Sequence, residues 1–327
     1  MHVLGAVLAV LSAATFALTN ATGRRGVITG TPVQGMVISM PVGLLCFLFV
    51  AFLTGALESL GRITVPAFIA LSAAGVLHFV VGRYCNFRAS QAAGVNLTAP
   101  VVQLNSVVTL VLAVVVLHEP CTLLQILGGV LMVAGSLVTQ RASQPVGADK
   151  QRNRSAFTPR IAAGFFFASI AALMYGTSPV IVRQALYDVG PLSGLAGGSI
   201  AYAAATVAVG LGLLIPSLRR NVMQVSAENA RWFVYSGVFV AGAHGFLYSA
   251  LAVAPIMLVA PLLQLSLVFR FVFALLLNPH HELFGAVVII GTIVSIVGAC
   301  AVSINTDLIL EAIALPPAFA AVLRTRL

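Results

Sequence analysis

Ten long apolar runs separated by short polar breaks constrain this chain to a membrane bundle. A membrane-spanning helix needs about 20 apolar residues, whereas the strands of a membrane barrel alternate polar and apolar residues over about ten positions. Because the runs are continuously apolar, they predict helices. The predicted spans cover residues 1–22, 33–55, 66–88, 94–117, 121–140, 161–183, 191–216, 232–252, 255–278 and 282–303.

Composition excludes the main soluble classes. Apolar residues make up 60% of the chain and charged residues 8%, with a mean hydropathy of +1.07, whereas soluble chains carry about 25% charged residues. The chain cannot cover a water-facing surface, which excludes a soluble enzyme, a disordered scaffold and a nucleic-acid binder. Because the cysteines stand singly, we expect no disulfide framework, metal site or cofactor. They are Cys46, Cys85, Cys121 and Cys300.

A basic stretch divides the chain near its middle. Residues 141–160 contain five basic residues, Pro and Gly but no apolar period, which predicts a loop. This loop separates a first unit, residues 1–140, from a second unit, residues 161–303. The tail, residues 304–327, has apolar stretches too short for a span, so we expect it to be disordered or to lie at the membrane surface.

The two units share landmarks in the same order. Pro100-Val-Val-Gln-Leu104 recurs as Pro261-Leu-Leu-Gln-Leu265, and His118-Glu119 recurs as His281-Glu282. Each Glu is followed by two glycines, Gly128 and Gly135 or Gly291 and Gly298, which indicate close helix packing. Five helices per unit is an odd number, so the second unit must enter the membrane in the opposite orientation. We therefore expect an all-α polytopic membrane protein of ten transmembrane helices in two inverted five-helix repeats, as in secondary transporters.

With these motifs the sequence resembles the drug/metabolite transporter superfamily, in particular its EamA-like bacterial members. The similarity covers residues 1–303 and is clearest from Tyr84 to Val138, where a small-residue break and Pro100 precede Glu119 and a glycine-containing helix. The resemblance implies a multi-pass protein of the cell inner membrane that moves a small metabolite, often an amino acid or a related compound. Movement is expected by alternating access through a central cavity, in the direction of efflux.

Ionisable groups inside a membrane are costly and usually face the bundle interior, so they are candidate binding residues. Those with the strongest claim are basic: Arg83, His244 and Arg270. We hypothesise that they create a positive cavity for an anionic or carboxylate-bearing metabolite. The alternative is that Arg83 snorkels, His244 hydrogen-bonds a neighbouring helix and Arg270 satisfies carbonyl groups at a helix break. His78 is predicted to lie on a different helix face from Arg83 and to serve packing.

Several uncharged groups complete the candidate set. Gln103 and Gln264 are equivalent midspan amides, which could orient substrate or join their helices by hydrogen bonds. The other candidates for substrate binding are polar residues on the predicted spans, namely Asn20, Asn105, Tyr175 and Ser266.

Glu119 and Glu282 begin the fifth and tenth helices, where a carboxylate complements the positive helix terminus. This position indicates a structural role, with gating or proton transfer as the alternative. Protons are also candidate partners through His244, because imidazole titrates near neutral pH. Facilitated diffusion is equally compatible with the sequence.

The net charge of +9 comes mostly from basic residues in the odd-numbered connections between successive predicted spans. Arg24 and Arg25, after the first span, are two of these residues. The positive-inside rule then places both termini outside, although members of the superfamily commonly have cytoplasmic termini. The expected partners are a small-molecule substrate and the lipid bilayer, with no nucleic acid, and the expected assembly is a monomer or a homodimer.

Other function classes fit the sequence less well. An intramembrane enzyme or a lipid-handling protein is the main alternative, but the chain contains no H-E-x-x-H motif or other reactive constellation. A cationic-drug exporter would be expected to carry a midspan carboxylate. None of the eight acidic residues lies at the middle of a predicted span.

Overall fold

The computed structural model of the chain is 91% helical over the segments that it describes. These segments are residues 2–117, 122–142, 158–185, 193–253, 262–263, 265–278, 285–303, 306–313 and 317–325. The α-helices are α1 (His2–Thr29), α2 (Pro32–Leu53), α3 (Val65–Gly75), α4 (Arg83–Ala93), α5 (Val95–Val102), α6 (Asn105–Leu117), α7 (Leu123–Ala142), α8 (Ile161–Ala185), α9 (Ser193–Gly212), α10 (Pro216–Met223), α11 (Ala227–Val253), α12 (Ser266–Leu277), α13 (Ala286–Ser303), α14 (Thr306–Ile313) and α15 (Pro317–Leu323). A short 3-10 helix covers Ala56–Arg62, and a π-helix, Val76–Gly82, joins α3 to α4.

Six helical segments within the described residues are long and apolar enough to cross a membrane. They match the first four predicted spans and the sixth and seventh. They are Leu4–Thr29, Pro32–Leu53, Val65–Ala93, Val95–Val116, Ile161–Val182 and Gly194–Gly212. Helices α7, α11, α12 and α13 lie within or overlap the other predicted spans. The chain is therefore an all-helical, multi-pass membrane protein, and the full set of ten spans stays a prediction.

One sequence-based boundary was wrong. Arg24 and Arg25 were expected in a connection, but α1 continues to Thr29 and the Arg24 side chain is only 1% exposed.

The two helices α14 and α15 lie in the tail, where Asp307 forms an ion pair of 2.7 Å with Arg324. The tail also reaches the start of α7, because the Leu123 N–H donates to the Thr325 carbonyl (3.1 Å). The described part of the tail is therefore ordered rather than unstructured.

A tight turn between α1 and α2 begins the second helix with complete capping. The Gln34 N–H donates to Thr31 Oγ1 (3.3 Å), and the Thr31 N–H donates to Gln34 Oε1 (3.0 Å). Pro32 follows at the first helical position, where its missing N–H costs no hydrogen bond. Residues 31–34 therefore set the start of α2 locally.

The fourth predicted span is divided into two helices. Helix α5 ends at Val102 and α6 starts at Asn105, two and five residues after Pro100. Proline removes one backbone donor and crowds the preceding turn, which favours a break in the helix. At membrane depth, such a break is tolerated where protein surrounds the freed backbone groups. All residues of α5 are buried, so the break lies inside the bundle.

Small side chains line parts of the inside of the bundle, and many large apolar side chains face outward. Ala9, Ala13, Ala17 and Ala21 recur every four residues along α1, and each is fully buried. Their spacing forms one stripe on the helix, and Ala9 of this stripe packs against Ala250 of α11. Large residues such as Phe52 remain exposed. Lipid chains are as apolar as leucine, so close contact between small residues, rather than apolar burial, joins the helices.

Glycines bring α7 and α13 together, as the sequence predicted. A Cβ atom on Gly128 would lie 2.8 Å from the Gly298 carbonyl oxygen and 2.7 Å from the Ala301 Cβ. A Cβ on Gly135 would collide with Ser295 and with the backbone of Gly291. The two helices therefore touch backbone to backbone at two levels.

Helix packing follows a reciprocal pattern when the predicted spans are numbered in order. The first span (α1) packs against the eighth (α11), and the sixth (α8) packs against the third (α3–α4). The first also packs against the ninth (α12), and the sixth packs against the fourth (α5–α6). The second packs against the seventh (α2 and α9), and the fifth packs against the tenth (α7 and α13). Exchanging the two halves reproduces each of these pairings.

The close contact of α7 with α13 predicts that alanine at Gly128 and alanine at Gly129 have different effects on the stability of the protein. Gly128→Ala should destabilise the protein by about 1 to 3 kcal/mol, because the added methyl group overpacks the interface. Gly129→Ala is the matched control, since its Cβ would lie no closer than 3.7 Å to Val107, and it should leave stability unchanged or slightly higher. Thermal melting in detergent measures both variants. Equal melting temperatures for the two variants would contradict the packing described.

Candidate functional site

Polar side chains from six helical segments meet near the middle of the bundle. We call this group the central polar cluster. It comprises Asn20 of α1, His78 of the π-helix, Arg83 and Asn86 of α4, Tyr175 and Ser178 of α8, Ser236 and His244 of α11, and Arg270 of α12.

Arg83 is held on one side by a short chain of hydrogen bonds. Its Nη2 donates to Ser236 Oγ (3.0 Å), and Ser236 Oγ donates to the Thr19 carbonyl (3.0 Å). The guanidinium carbon lies 5.0 Å from the centroid of the Phe87 ring, a cation–π arrangement. Although its side chain is only 5% exposed, Arg83 forms no ion pair with the acidic residues in the described segments. Its Nε is buried and has no hydrogen-bond partner there.

The π-helix places His78 on the same face as Arg83. The Arg83 N–H donates to the His78 carbonyl, a bond between residues five apart, and such bonds stack residues i and i+5. An α-helix would rotate the two side chains away from each other, which is why the sequence-based assignment of His78 to another face was wrong. His78 Nδ1 lies 2.6 Å from Ser178 Oγ, and its ring lies 4.5 Å from that of Tyr175.

Tyr175 connects the two arginines. Its phenol group interacts electrostatically with both Arg83 and Arg270, and its side chain contacts Asn86. Asn86 Nδ2 donates to Asn20 Oδ1 (2.9 Å), which extends the network to α1. Arg270 also has a buried Nε with no hydrogen-bond partner in the described segments, and it forms no ion pair there. Two guanidinium groups therefore converge on one phenol without a carboxylate beside them in the described structure.

His244 lies on the aromatic side of the cluster. Its ring is 5.1 Å from Phe16, 5.9 Å from Phe79 and 6.1 Å from Tyr202, and it is 6.4 Å from His78. His244 Nδ1 is 2.8 Å from the Val240 carbonyl oxygen, four residues earlier in α11. These aromatic rings give the cluster an apolar, polarisable side around His244.

A latch closes one end of the bundle beyond the cluster. We use this term for the links that join the α1–α2 turn to α10 and α11. Thr29 Oγ1 donates to Asn229 Oδ1 (2.9 Å), and Thr31 Oγ1 donates to Asn221 Oδ1 (2.7 Å). Between the latch and Arg83, Phe87 and Phe233 pack in one apolar group. These contacts join elements of the first and second units.

The structure brings together five of the predicted binding residues and leaves others elsewhere. Those brought together are Asn20, Arg83, Tyr175, His244 and Arg270. Gln103 is buried at the break between α5 and α6, and Ser266 is buried at the start of α12. The Asn105 carbonyl accepts a hydrogen bond from Thr109 Oγ1 (3.0 Å), which also donates to the Gly176 carbonyl (2.9 Å). Gln264, Glu119 and Glu282 lie outside the described residues.

Four residues of the cluster were missed as binding candidates: His78, Asn86, Ser178 and Ser236. No sequence pattern separates a π-helix from an α-helix, and the only signal for His78 is its five-residue spacing from Arg83 within an apolar run. Within the described residues, no group of three or more His, Cys, Asp or Glu side chains is placed to hold a metal ion. The cluster can therefore offer cationic donors, amides, a phenol and imidazoles to a ligand.

Cysteine cross-linking tests the π-helix directly. In a variant without native cysteines, we expect His78→Cys and Ser178→Cys to cross-link through a short thiol reagent, because the native side chains touch. The control pair is Val81→Cys with Ser178→Cys, since Val81 faces outward. Gel mobility after cleavage at a protease site inserted between the two units reports the link. Equal or stronger cross-linking of the control pair would contradict the described register.

Comparisons with known proteins agree with this architecture. A solved crystal structure of a protein with 14% sequence identity covers 96% of this chain and 98% of its own chain, with a TM-score of 0.52, so the two share a fold. No curated protein matches the sequence. A family model, the EamA-like transporter family, matches residues 3–141. The resemblance seen in the sequence is therefore confirmed for residues 3–141, which are similar to the EamA-like transporters of the drug/metabolite transporter superfamily.

Proposed function

We propose that the protein is a secondary transporter of the inner membrane that exports a small carboxylate-bearing metabolite, such as an amino acid. The observation that carries this proposal is the pair of guanidinium groups of Arg83 and Arg270, each with a buried Nε atom and without a carboxylate partner in the described segments. A buried charge without a partner is strongly unfavourable. A substrate carboxylate would supply the missing partner and would gain charge-assisted hydrogen bonds in return.

The surroundings of the arginines favour a small organic anion over an inorganic one. Tyr175 and Asn86 offer neutral hydrogen-bonding groups beside the guanidinium groups. The rings around His244, including Phe16 and Phe79, offer an apolar wall within reach of the same cluster. A ligand with one carboxylate and one apolar part would satisfy both sides.

The ten-helix inverted repeat belongs to this proposal, and the helix packing supports it. The reciprocal pairs, with α1 on α11 and α8 on α4 among them, are those that a pseudo-twofold axis in the membrane plane would generate. Arg83 and His244 occupy equivalent positions in the two repeats, seventeen residues before Pro100 and Pro261. A binding site between inverted repeats can open alternately to either side of the membrane.

Alternating access requires one end of the bundle to open while the other closes. The latch, with Thr29 on Asn229 and Thr31 on Asn221, joins the two units by a few neutral hydrogen bonds. Each such bond contributes about 1 kcal/mol, so the closed end can be broken without unfolding the helices. The described structure would then be the state closed at the latch.

A flux screen in proteoliposomes tests the function. Amino acids, organic acids and lipophilic cations are offered to the wild-type protein. We expect saturable flux of a carboxylate compound. Selective flux of lipophilic cations would contradict the proposed polarity and would favour a cationic-drug exporter.

Arginine variants then test the site. Arg83→Gln and Arg270→Gln should each raise the substrate concentration for half-maximal flux about 10- to 100-fold, because a charge-assisted hydrogen bond contributes about 1.5 to 3 kcal/mol. Arg231→Gln is the control, since it removes an exposed arginine of α11 outside the cluster.

Thermal melting of the empty protein separates binding from a purely structural role. Arg270→Gln removes a charge that has no carboxylate partner in the described segments, so the melting temperature should be unchanged or higher. Unchanged transport affinity in both arginine variants would overturn the proposed site, whereas lower stability with normal affinity would favour structural arginines.

A further inference from the structure

Helix α10 has two different faces at the end of the bundle that carries the latch. Its Asn221 accepts hydrogen bonds from two residues of the α1–α2 turn: from Thr31 Oγ1 at the side-chain oxygen (2.7 Å) and from Gln34 Nε2 at the carbonyl oxygen (2.7 Å). Arg219 and Arg220 are exposed. The helix is therefore fixed to the bundle through Asn221 while its arginines stay free of the latch.

The arginines line a pocket with apolar walls. The pocket has a volume of about 390 Å³, and its lining consists of Leu213, Leu214, Pro216, Arg219, Arg220 and Met223. Two of these six residues are cationic, four are apolar and none is acidic. Leu214 and Met223 are 77% and 74% exposed, so the apolar wall continues onto the outer surface, directly after the candidate span that ends at Gly212.

We propose that this pocket binds one anionic phospholipid, with its phosphate on Arg219 and Arg220 and an acyl chain along Leu214 and Met223. Guanidinium groups bind phosphate through paired hydrogen bonds, and a free inorganic anion would gain nothing from the apolar wall. Basic residues next to the membrane attract anionic lipids by about 1 kcal/mol each. The fixed helix adds a defined place for the headgroup, which a mobile basic tail would not provide.

Lipid retention tests the site. The purified, delipidated full-length protein is incubated in detergent with dioleoyl phosphatidylglycerol or dioleoyl phosphatidylcholine, and the lipid that stays bound is quantified by mass spectrometry. We expect preferential retention of one phosphatidylglycerol. The double variant Arg219→Gln/Arg220→Gln should weaken this retention roughly thirtyfold, to the level of phosphatidylcholine.

A matched control removes the same charge elsewhere. Arg160→Gln/Arg231→Gln deletes two exposed arginines from the same end of the bundle and should leave retention unchanged. Equal loss in both double variants would show diffuse attraction and would overturn the site. The same holds if 10 mM inorganic phosphate displaces the lipid completely, because the site would then be one for free anions.

A separate double variant tests whether the apolar wall of the pocket holds the acyl chain. Leu214→Ser/Met223→Ser should weaken phosphatidylglycerol retention while leaving the melting temperature unchanged, since both side chains are exposed. Undiminished retention in this variant would overturn the assignment of the acyl chain. Melting temperatures of all three double variants exclude misfolding as the cause of any loss.

Discussion

Close contact between small residues is the interaction on which this bundle depends. Lipid chains solvate apolar side chains as well as a protein core does, so large apolar residues do not draw helices together in a membrane. The buried alanine stripe of α1 and the crossing of Gly128 with Gly298 show the consequence. Helices approach backbone to backbone where side chains are smallest, and many of the larger apolar residues are exposed on the outside of the bundle.

The close packing of the helices also sets the electrostatic environment of the arginines in the central polar cluster. Helices that meet so closely exclude water from Arg83, which is nearly buried and has Ser236, Phe87 and Tyr175 among its neighbours in the described structure. Arg270 approaches the same phenol from α12. The protein thus maintains two cationic groups in a low-dielectric region, which is costly unless a ligand compensates them. The arrangement is easier to understand as preparation for an anion than as a contribution to stability.

Much of this structure could be predicted from local patterns in the sequence. Continuous apolar runs located the helices, and the repeated glycines located the crossing of α7 with α13. The hypothesis that Arg83, His244 and Arg270 face the bundle interior also came from the sequence, because costly intramembrane groups have few places to go other than the interior.

The failures came from steps where a local rule is not sufficient. His78 was predicted on a different helix face from Arg83 because an α-helix has 3.6 residues per turn. The chain forms a π-helix at that point, which brings the two residues onto one face. Arg24 was assigned to a connection because charge normally ends a span, but α1 continues past it. Ser236 and Asn86 were missed because their importance arises from neighbours on other helices, which a single sequence does not reveal.

The position of a bound substrate tests the central claim most directly. A structure of the protein with its transported carboxylate compound should show the carboxylate within hydrogen-bonding distance of Arg83 or Arg270, with the rest of the ligand near Tyr175 and the rings around His244. A ligand bound elsewhere, or one whose carboxylate contacts neither arginine, would contradict the account.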